Sequence, residues 1–390
     1  MIGDRRATTT ASDAAKPGTA GTQAALAPDG TRSAAAAKHE SAPETKRSTI
    51  RNVAARAGVS VATVSRVLAG NYPVSEELRD KVMRVVRELD YVTNAHARSL
   101  AGAGPRTIAM LIGDITGPSF AHAAKGVEEE ASARGCLTLV GTTGSDPERE
   151  LAMLNLMREQ GASAVILIGG APDLGEYQHR MARYAKALKA AGSQLVLCGR
   201  PPLPPEVPAI TVEYDNEAGA FAMTSHLLSA GHRRILILPG LAGFTTTEIR
   251  LAGYLRALAT HGLAAEPDLL VNCAYEYSDG ERGVREALAR GAEFTAVFAG
   301  SDMVAAGALE ALRAAGLRVP QDVSLAGYDD IPLARDLTPK LTTVHVPYEE
   351  IGRAGARLAL DGAADARGSR SHIVMGTHVV VRQSVAPPTS

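Results

Sequence analysis

Between residues 49 and 92 apolar positions recur every three or four residues, and the spacing predicts three helices. The first covers about 50–57. Thr49 caps it, and Val53, Ala54 and Ala57 turn inward. Gly58 suits a tight or left-handed turn, Val59 plugs the gap, and Ser60 caps a second helix running from Val61 to about Ala69. Val64, Val67 and Leu68 form the buried face of that helix, while Val61, Ala62, Ser65 and Arg66 lie on another. A third helix starts at Ser75, with Glu76 and Glu77 in its first turn, and runs to about Leu89. So short a turn forces a large crossing angle and projects the start of the second helix outward. This is the geometry of a helix-turn-helix, whose second helix enters the DNA major groove.

From Thr107 the period changes. The β-rich runs TIAMLIGD, LTLVG, AVILIG and QLVLCG alternate with amphipathic stretches at 119–134, 147–160 and 176–191. The pattern restarts at AITVEYDN and continues through a helix at 216–230, RILILPG, a helix at 247–261 and DLLVN. A helix at 279–290, AVFAG, a helix at 302–315 and VSLAGYDD follow. Such alternation predicts a parallel sheet covered by helices, and two units in succession predict two lobes across a cleft. Ligands meet these sheets at the carboxyl ends of the strands. Residues 1–46 show no hydrophobic period and are expected to form a disordered leader.

Charge sharpens this picture. The whole chain carries a formal net charge of −1, yet residues 46–106 hold 11 Lys and Arg against 5 Asp and Glu. A basic module on an acidic body points to nucleic acid. Cys136, Cys198 and Cys273 are widely spaced in or beside apolar runs, so they read as buried thiols in a reducing compartment. No apolar run approaches the ~20 residues of a membrane span, and no apolar signal core opens the chain. A cytoplasmic protein with no membrane partner is expected. The sequence contains no GxGxxG, P-loop, HExxH or GxSxG and no Cys/His cluster, so neither an enzyme nor a cofactor or metal is expected.

The stretch TIRNVAARAGVSVATVSRVLAGNYPVSEELRDKVMRVVRELDYVTNAHARSLAG resembles the DNA-binding headpiece and hinge of the LacI/GalR (lactose-repressor) family. DITGPSF, VEYDNEAG, HLLSAGHRRI, IRLAGY, GSDMVAAGALEAL, VSLAGYDDIP, LTTV and VVVRQS follow in the family's order, so the similarity spans roughly residues 47–386. It implies a headpiece at 47–92, a hinge helix and linker at 93–106, and a two-lobed, periplasmic-binding-protein-like core at 107–386. The N-lobe would comprise about 107–211 and 343–366, and the C-lobe about 212–340 and 371–386. Val61 and Ala62 take the base-reading positions. Arg66 takes a third, facing either a guanine edge or a phosphate. Thr49, Ser60, Thr63 and Ser65 complete the headpiece contacts. Asn94, His96, Ala97 and Leu100 belong to the hinge, where Leu100 is either a minor-groove wedge or a plain linker residue. Thr93 departs from the family's usual Pro, and Asn52 from a common Asp.

For the cleft, the resemblance implies that Arg250 grips hydroxyls or a carboxylate and that Asp329 accepts from sugar hydroxyls. Tyr277 stacks on the ligand or simply packs, and Phe120 forms an N-lobe wall. Ser301 stands where many members have Asn. Asp302 is a ligand contact or a helix cap, and Arg200 lies just beyond Cys198. No leucine heptad follows the last strand before SVAPPTS, so a homodimer is expected rather than a tetramer. The expected function is a ligand-responsive regulator that binds a pseudo-palindromic operator on double-stranded DNA and is controlled by a small sugar-like effector. Repression is the first expectation; activation or corepression remains open. A periplasmic-type solute-binding protein would carry an export signal and no headpiece.

Overall fold

The computed structural model describes residues 48–69, 73–91, 106–172, 175–361 and 372–389. The chain divides into two compact units after Val92. The expected leader and hinge helix lie outside the described residues.

The first unit is built from α1 (Ile50–Ala57), α2 (Val61–Ala69) and α3 (Glu76–Glu88). Thr49 and Asn52 form a reciprocal cap on α1. The Asn52 amide donates to the Thr49 hydroxyl (3.4 Å), and the Thr49 amide donates to Asn52 Oδ1 (2.9 Å). The substituted Asn thus still supplies the acceptor that the cap requires. Gly58 ends α1 at φ 64°, a left-handed conformation that strains any residue with a Cβ. Ser60 then accepts from the Thr63 amide (3.0 Å), starting α2 at once. Val53, Ala54, Ala57, Val64, Val67, Val82 and Val85 are buried together. Ser75 makes no side-chain capping bond to α3, whose first turn instead carries Glu76 and Glu77.

The second unit begins with β1 (Thr107–Ile112), α4 (Pro118–Ala133), β2 (Leu137–Thr142), α5 (Pro147–Glu159), β3 (Ala164–Ile168), α6 (Gly175–Ala190), β4 (Gln194–Cys198) and β5 (Ala209–Tyr214). It continues with α7 (Asn216–Ser229), β6 (Ile235–Leu238), α8 (Thr245–Thr260), α9 (Tyr277–Ala289), β7 (Ala296–Ala299), α10 (Asp302–Ala314) and β8 (Ser324–Ala326). The last elements are α11 (Leu333–Asp336), β9 (Thr343–His345), α12 (Tyr348–Asp361), β10 (His372–Met375) and β11 (His378–Val380). The N-lobe sheet has the order β10-β5-β4-β3-β1-β2 and is parallel throughout. The C-lobe sheet is β6-β7-β8, also parallel, and β9 pairs antiparallel with β11. Helices α4 and α12 touch through backbone on the N-lobe. A Cβ on Gly126 would lie 2.0 Å from the Glu349 carbonyl oxygen, so glycine is required for that approach.

The lobe boundaries differ from expectation in three places. AITVEYDN does not open the C-lobe but forms β5, paired with β4 in the N-lobe sheet. Residues 372–375, expected in the C-lobe, pair with β5 as the N-lobe's edge strand. Residues 343–345, expected in the N-lobe, pair with β11 and lie beside the C-lobe loop, where Asp329 bridges His345. The chain therefore crosses between lobes after β5, between β9 and α12, and between β10 and β11. Apolar alternation reveals a strand but not its partner, and only the pairing assigns such crossing segments. DLLVN is likewise a 3₁₀ turn at Pro267–Leu269 followed by a single bridge, Ile237 to Leu270.

All three cysteines are buried free thiols; burial pushes Cys198 up to about 12 and Cys273 up to about 11, which leaves both protonated and unreactive. His232 is buried between the Thr295 hydroxyl (2.9 Å) and the Ala386 carbonyl (3.0 Å), pinning the C-terminal segment against the C-lobe. Among the described residues no helix is long and apolar enough to cross a membrane.

Candidate nucleic-acid interface and interlobe cleft

The first unit separates its residues by face. Val64 and Val67 are buried, whereas Val61 is 41% exposed, and Ala62, Ser65 and Arg66 are also exposed. Small residues at the start of α2 let a helix approach base edges and thymine methyls closely, and a guanidinium one turn on can reach a guanine edge or a phosphate. Thr49, Ser60 and Thr63 have a structural duty as well. The first two cap α1 and α2, and the Thr63 hydroxyl lies 2.8 Å from that of Ser60. Asn94, His96, Ala97 and Leu100 lie outside the described residues.

In the second unit, Arg250 on α8 and Asp329 after β8 come together although 79 residues separate them. Their contact, Nη2 to Oδ1, is 3.4 Å. The other donors of Arg250 meet neutral groups. Nε donates to Asn216 Oδ1 (2.8 Å), Nη1 to the Gly300 carbonyl, and Nη2 to the Tyr214 hydroxyl (3.1 Å). The guanidinium also lies 3.7 Å over the Tyr328 ring, in cation–π position. Burial works against the Arg250 charge, but Tyr214, Asp329 and further tyrosines outweigh it, and its pKa is raised. Burial raises the Asp329 carboxyl, with Arg250 and then Tyr348 pulling the other way. Asp329 sits at φ 113°, a strained backbone for a residue with a Cβ.

The other expected cleft residues have distinct settings. Phe120 lies over the ends of β1 and β3, beside Gly113 and Gly169, as a wall on the N-lobe. Arg200 is buried within the N-lobe: it forks onto Glu150 (3.0 and 2.7 Å), donates to Tyr177 (2.6 Å) and holds the Gly169 carbonyl (2.8 Å). Burial works to raise the Glu150 carboxyl, yet the Arg200 charge and hydrogen bonds bring it below its ordinary value. Ser301 caps α10 through the Val304 amide (3.2 Å). Asp302 is therefore the first helical residue rather than the cap. Its carboxylate accepts from the Ile331 amide (2.9 Å) and the Thr343 hydroxyl (2.5 Å), knitting the loop to β9. Burial, then the nearby Asp329, push its pKa well up.

Tyr277 is the first residue of α9 and is 40% exposed. Two residues earlier Tyr275 turns inward: its hydroxyl meets that of Thr247 (2.8 Å), and burial raises its pKa to about 12. A sequence signal for this existed. Glu276 and Asp279 form a capping box, which leaves Tyr275 in the strand-end loop and draws Tyr277 into the helix. No spacing along the chain marks Asn216, Tyr214, Tyr328 or Tyr348. Tyr214, Asn216 and Tyr348 sit at the crossing segments, whose placement depends on pairing, and Tyr328 lies in the loop after β8. A cavity of about 240 Å³ opens beside this cluster, lined by Arg200, Tyr214, Asn216, Thr245 and Thr246 among others. Across it the lobes touch directly: the Thr245 amide donates to the Ala171 carbonyl (2.9 Å), and the Ala171 amide to the Thr245 hydroxyl (3.1 Å).

Residues 49–94 match the family described as bacterial regulatory proteins, lacI family, and residues 224–385 match a periplasmic binding protein-like domain. The chain is 35% identical over 344 residues to the HTH-type transcriptional regulator CelR of Thermobifida fusca, covering 87% of this chain and 98% of that one. It is 33% identical over 338 residues to the ribose operon repressor of Haemophilus influenzae, covering 86% and 98%. A solved complex of the regulator CelR with cellobiose is similar in structure, with a TM-score of 0.61 at 33% identity, covering 87% of this chain and 100% of that one.

Proposed function

The chain belongs to the lacI family of bacterial regulatory proteins, a family of DNA-binding transcriptional regulators, and from that premise we propose that it is a cytoplasmic, non-enzymatic repressor that binds operator DNA as a homodimer and is released by a sugar-like effector. The observation that carries the reading is the outward face of α2. Val61, Ala62, Ser65 and Arg66 are exposed together on a helix locked by caps and a buried valine core. Val61 and Ala62 read bases, and Arg66 adds a base or phosphate contact. A two-fold protein reads a palindrome, because one headpiece offers too little area for tight specific binding. The edge strand β2 supports a dimer: it exposes Leu137, Leu139 and Val140, an apolar edge suited to a second copy.

The effector would seat against Arg250 and Asp329, whose donors and acceptors suit a polyhydroxylated molecule, with Tyr214 and Tyr328 as the aromatics in contact with Arg250. Cellobiose and ribose are the first probes, given the relatives. The test is selection of binding sites from random duplex DNA by the full chain, followed by titration with these sugars. Pseudo-palindromic sites released by one sugar are expected. Failure to enrich any site would overturn the reading, and sites that tighten with sugar would make the protein corepressor-dependent.

A further inference from the structure

Two tyrosines on crossing segments close a ring with the Arg250–Asp329 pair. Tyr214 is the last residue of β5, in the N-lobe sheet, and Tyr348 is the first of α12, which packs on the N-lobe helix α4. Arg250 Nη2 donates to the Tyr214 hydroxyl (3.1 Å) and to Asp329 Oδ1 (3.4 Å). The Tyr348 hydroxyl donates to the same Oδ1 (2.7 Å). The two rings meet edge to face, with centroids 5.8 Å apart at 71°. The circuit runs Arg250, Tyr214, Tyr348, Asp329 and back. Its two charged members stand on the C-lobe and its two aromatic members on the N-lobe.

We infer that Tyr348 and Tyr214 are positioning residues that hold the lobes closed by gripping the C-lobe's Arg–Asp pair from the N-lobe side. The inference rests on the reading of that pair as the effector site. It alters how a ligand acts there. Both hydrogen bonds to the Asp329 carboxylate fall on Oδ1. A ligand that engages Arg250 or Asp329 changes the clamp at the crossing segments directly and need not span the cleft. Each tyrosine bonds a charged partner, and the Tyr348 contact at 2.7 Å is shorter than the Tyr214 contact at 3.1 Å, which makes it the stronger grip. The Thr245–Ala171 contact reports the closure from the opposite jaw.

The test uses the full chain without ligand and compares wild type with Tyr348→Phe and Tyr214→Phe by amide hydrogen exchange. Each substitution removes one hydroxyl and keeps the ring. Tyr348→Phe should speed exchange of the Thr245 amide about tenfold, through a larger population of open lobes, while the β3 amides keep their wild-type rates. Tyr214→Phe should do the same by a smaller factor. Unchanged Thr245 exchange in both variants would overturn the inference. So would equal acceleration at Thr245 and in β3, because the hydroxyls would then support the whole unit rather than the closure. Failure of the wild-type chain to bind DNA or sugar would sink the functional reading and leave this exchange result standing by itself.

Discussion

Two arginines, one in each lobe, are buried almost equally: Arg200 is 5% exposed and Arg250 is 3% exposed. Their surroundings differ in one respect. Arg200 is answered by a carboxylate in forked contact at 3.0 and 2.7 Å, with Tyr177 completing the shell. Arg250 has its carboxylate at 3.4 Å and otherwise meets an amide oxygen, a carbonyl, a phenol and an aromatic face. The first arrangement neutralises a charge within the N-lobe and fastens Gly169. The second leaves a cation held mainly by neutral dipoles, although the cavity itself is lined by Arg200, Tyr214 and Asn216 rather than by Arg250. Burial alone does not distinguish the two arginines; the completeness of their counter-charge does.

The contrast can be broken most decisively through stability. Arg200→Ala would strand the buried Glu150 carboxylate and should cost about 3–5 kcal/mol in denaturant unfolding of the core. A loss below about 1 kcal/mol would mean that Arg200 is as available to ligand as Arg250. Arg250→Ala should cost less, about 1–3 kcal/mol, because mostly neutral hydrogen bonds are lost. It should keep operator binding and abolish release by sugar. A variant that retains full release would make Arg250 structural too. Arg66 is the exposed control. Arg66→Ala should weaken operator binding by about 1–3 kcal/mol if it reads a guanine edge. If all sequences weaken alike and the salt slope flattens, Arg66 is a phosphate contact.

The smallest effect concerns pH. Burial lowers the His232 pKa below its usual 6.5, so the unfolded chain takes the proton first as pH falls. The stabilisation from neutral His232 is complete above about pH 6.5 and is lost as pH drops through that value towards the folded pKa. The Tm advantage of wild type over His232→Gln should therefore shrink between pH 7.5 and 5.5. An advantage that grows with acidity would show that His232 is held as a cation. The histidine neutralises nothing, unlike either arginine, and serves as a gauge of burial by itself.

The sequence by itself determined the local elements. Apolar spacing placed α1 and α2, and Thr49, Gly58 and Ser60 announced the caps and the turn, because those bonds join residues no more than four apart. It also marked Arg250 and Asp329 through the motifs around them. Tertiary structure decided which sheet the crossing strands β5 and β10 join, since alternation is the same on either side of a partner. It separated Arg200 from Arg250, because Glu150 and Tyr177 lie on α5 and α6 and reach Arg200, in the loop after β4, only in the folded lobe. It drew Tyr214, Asn216, Tyr275 and Tyr348 around Arg250, and it set Tyr277 on the surface. Charge neutralisation in a buried site depends on distances between remote segments, and no spacing along the chain encodes them.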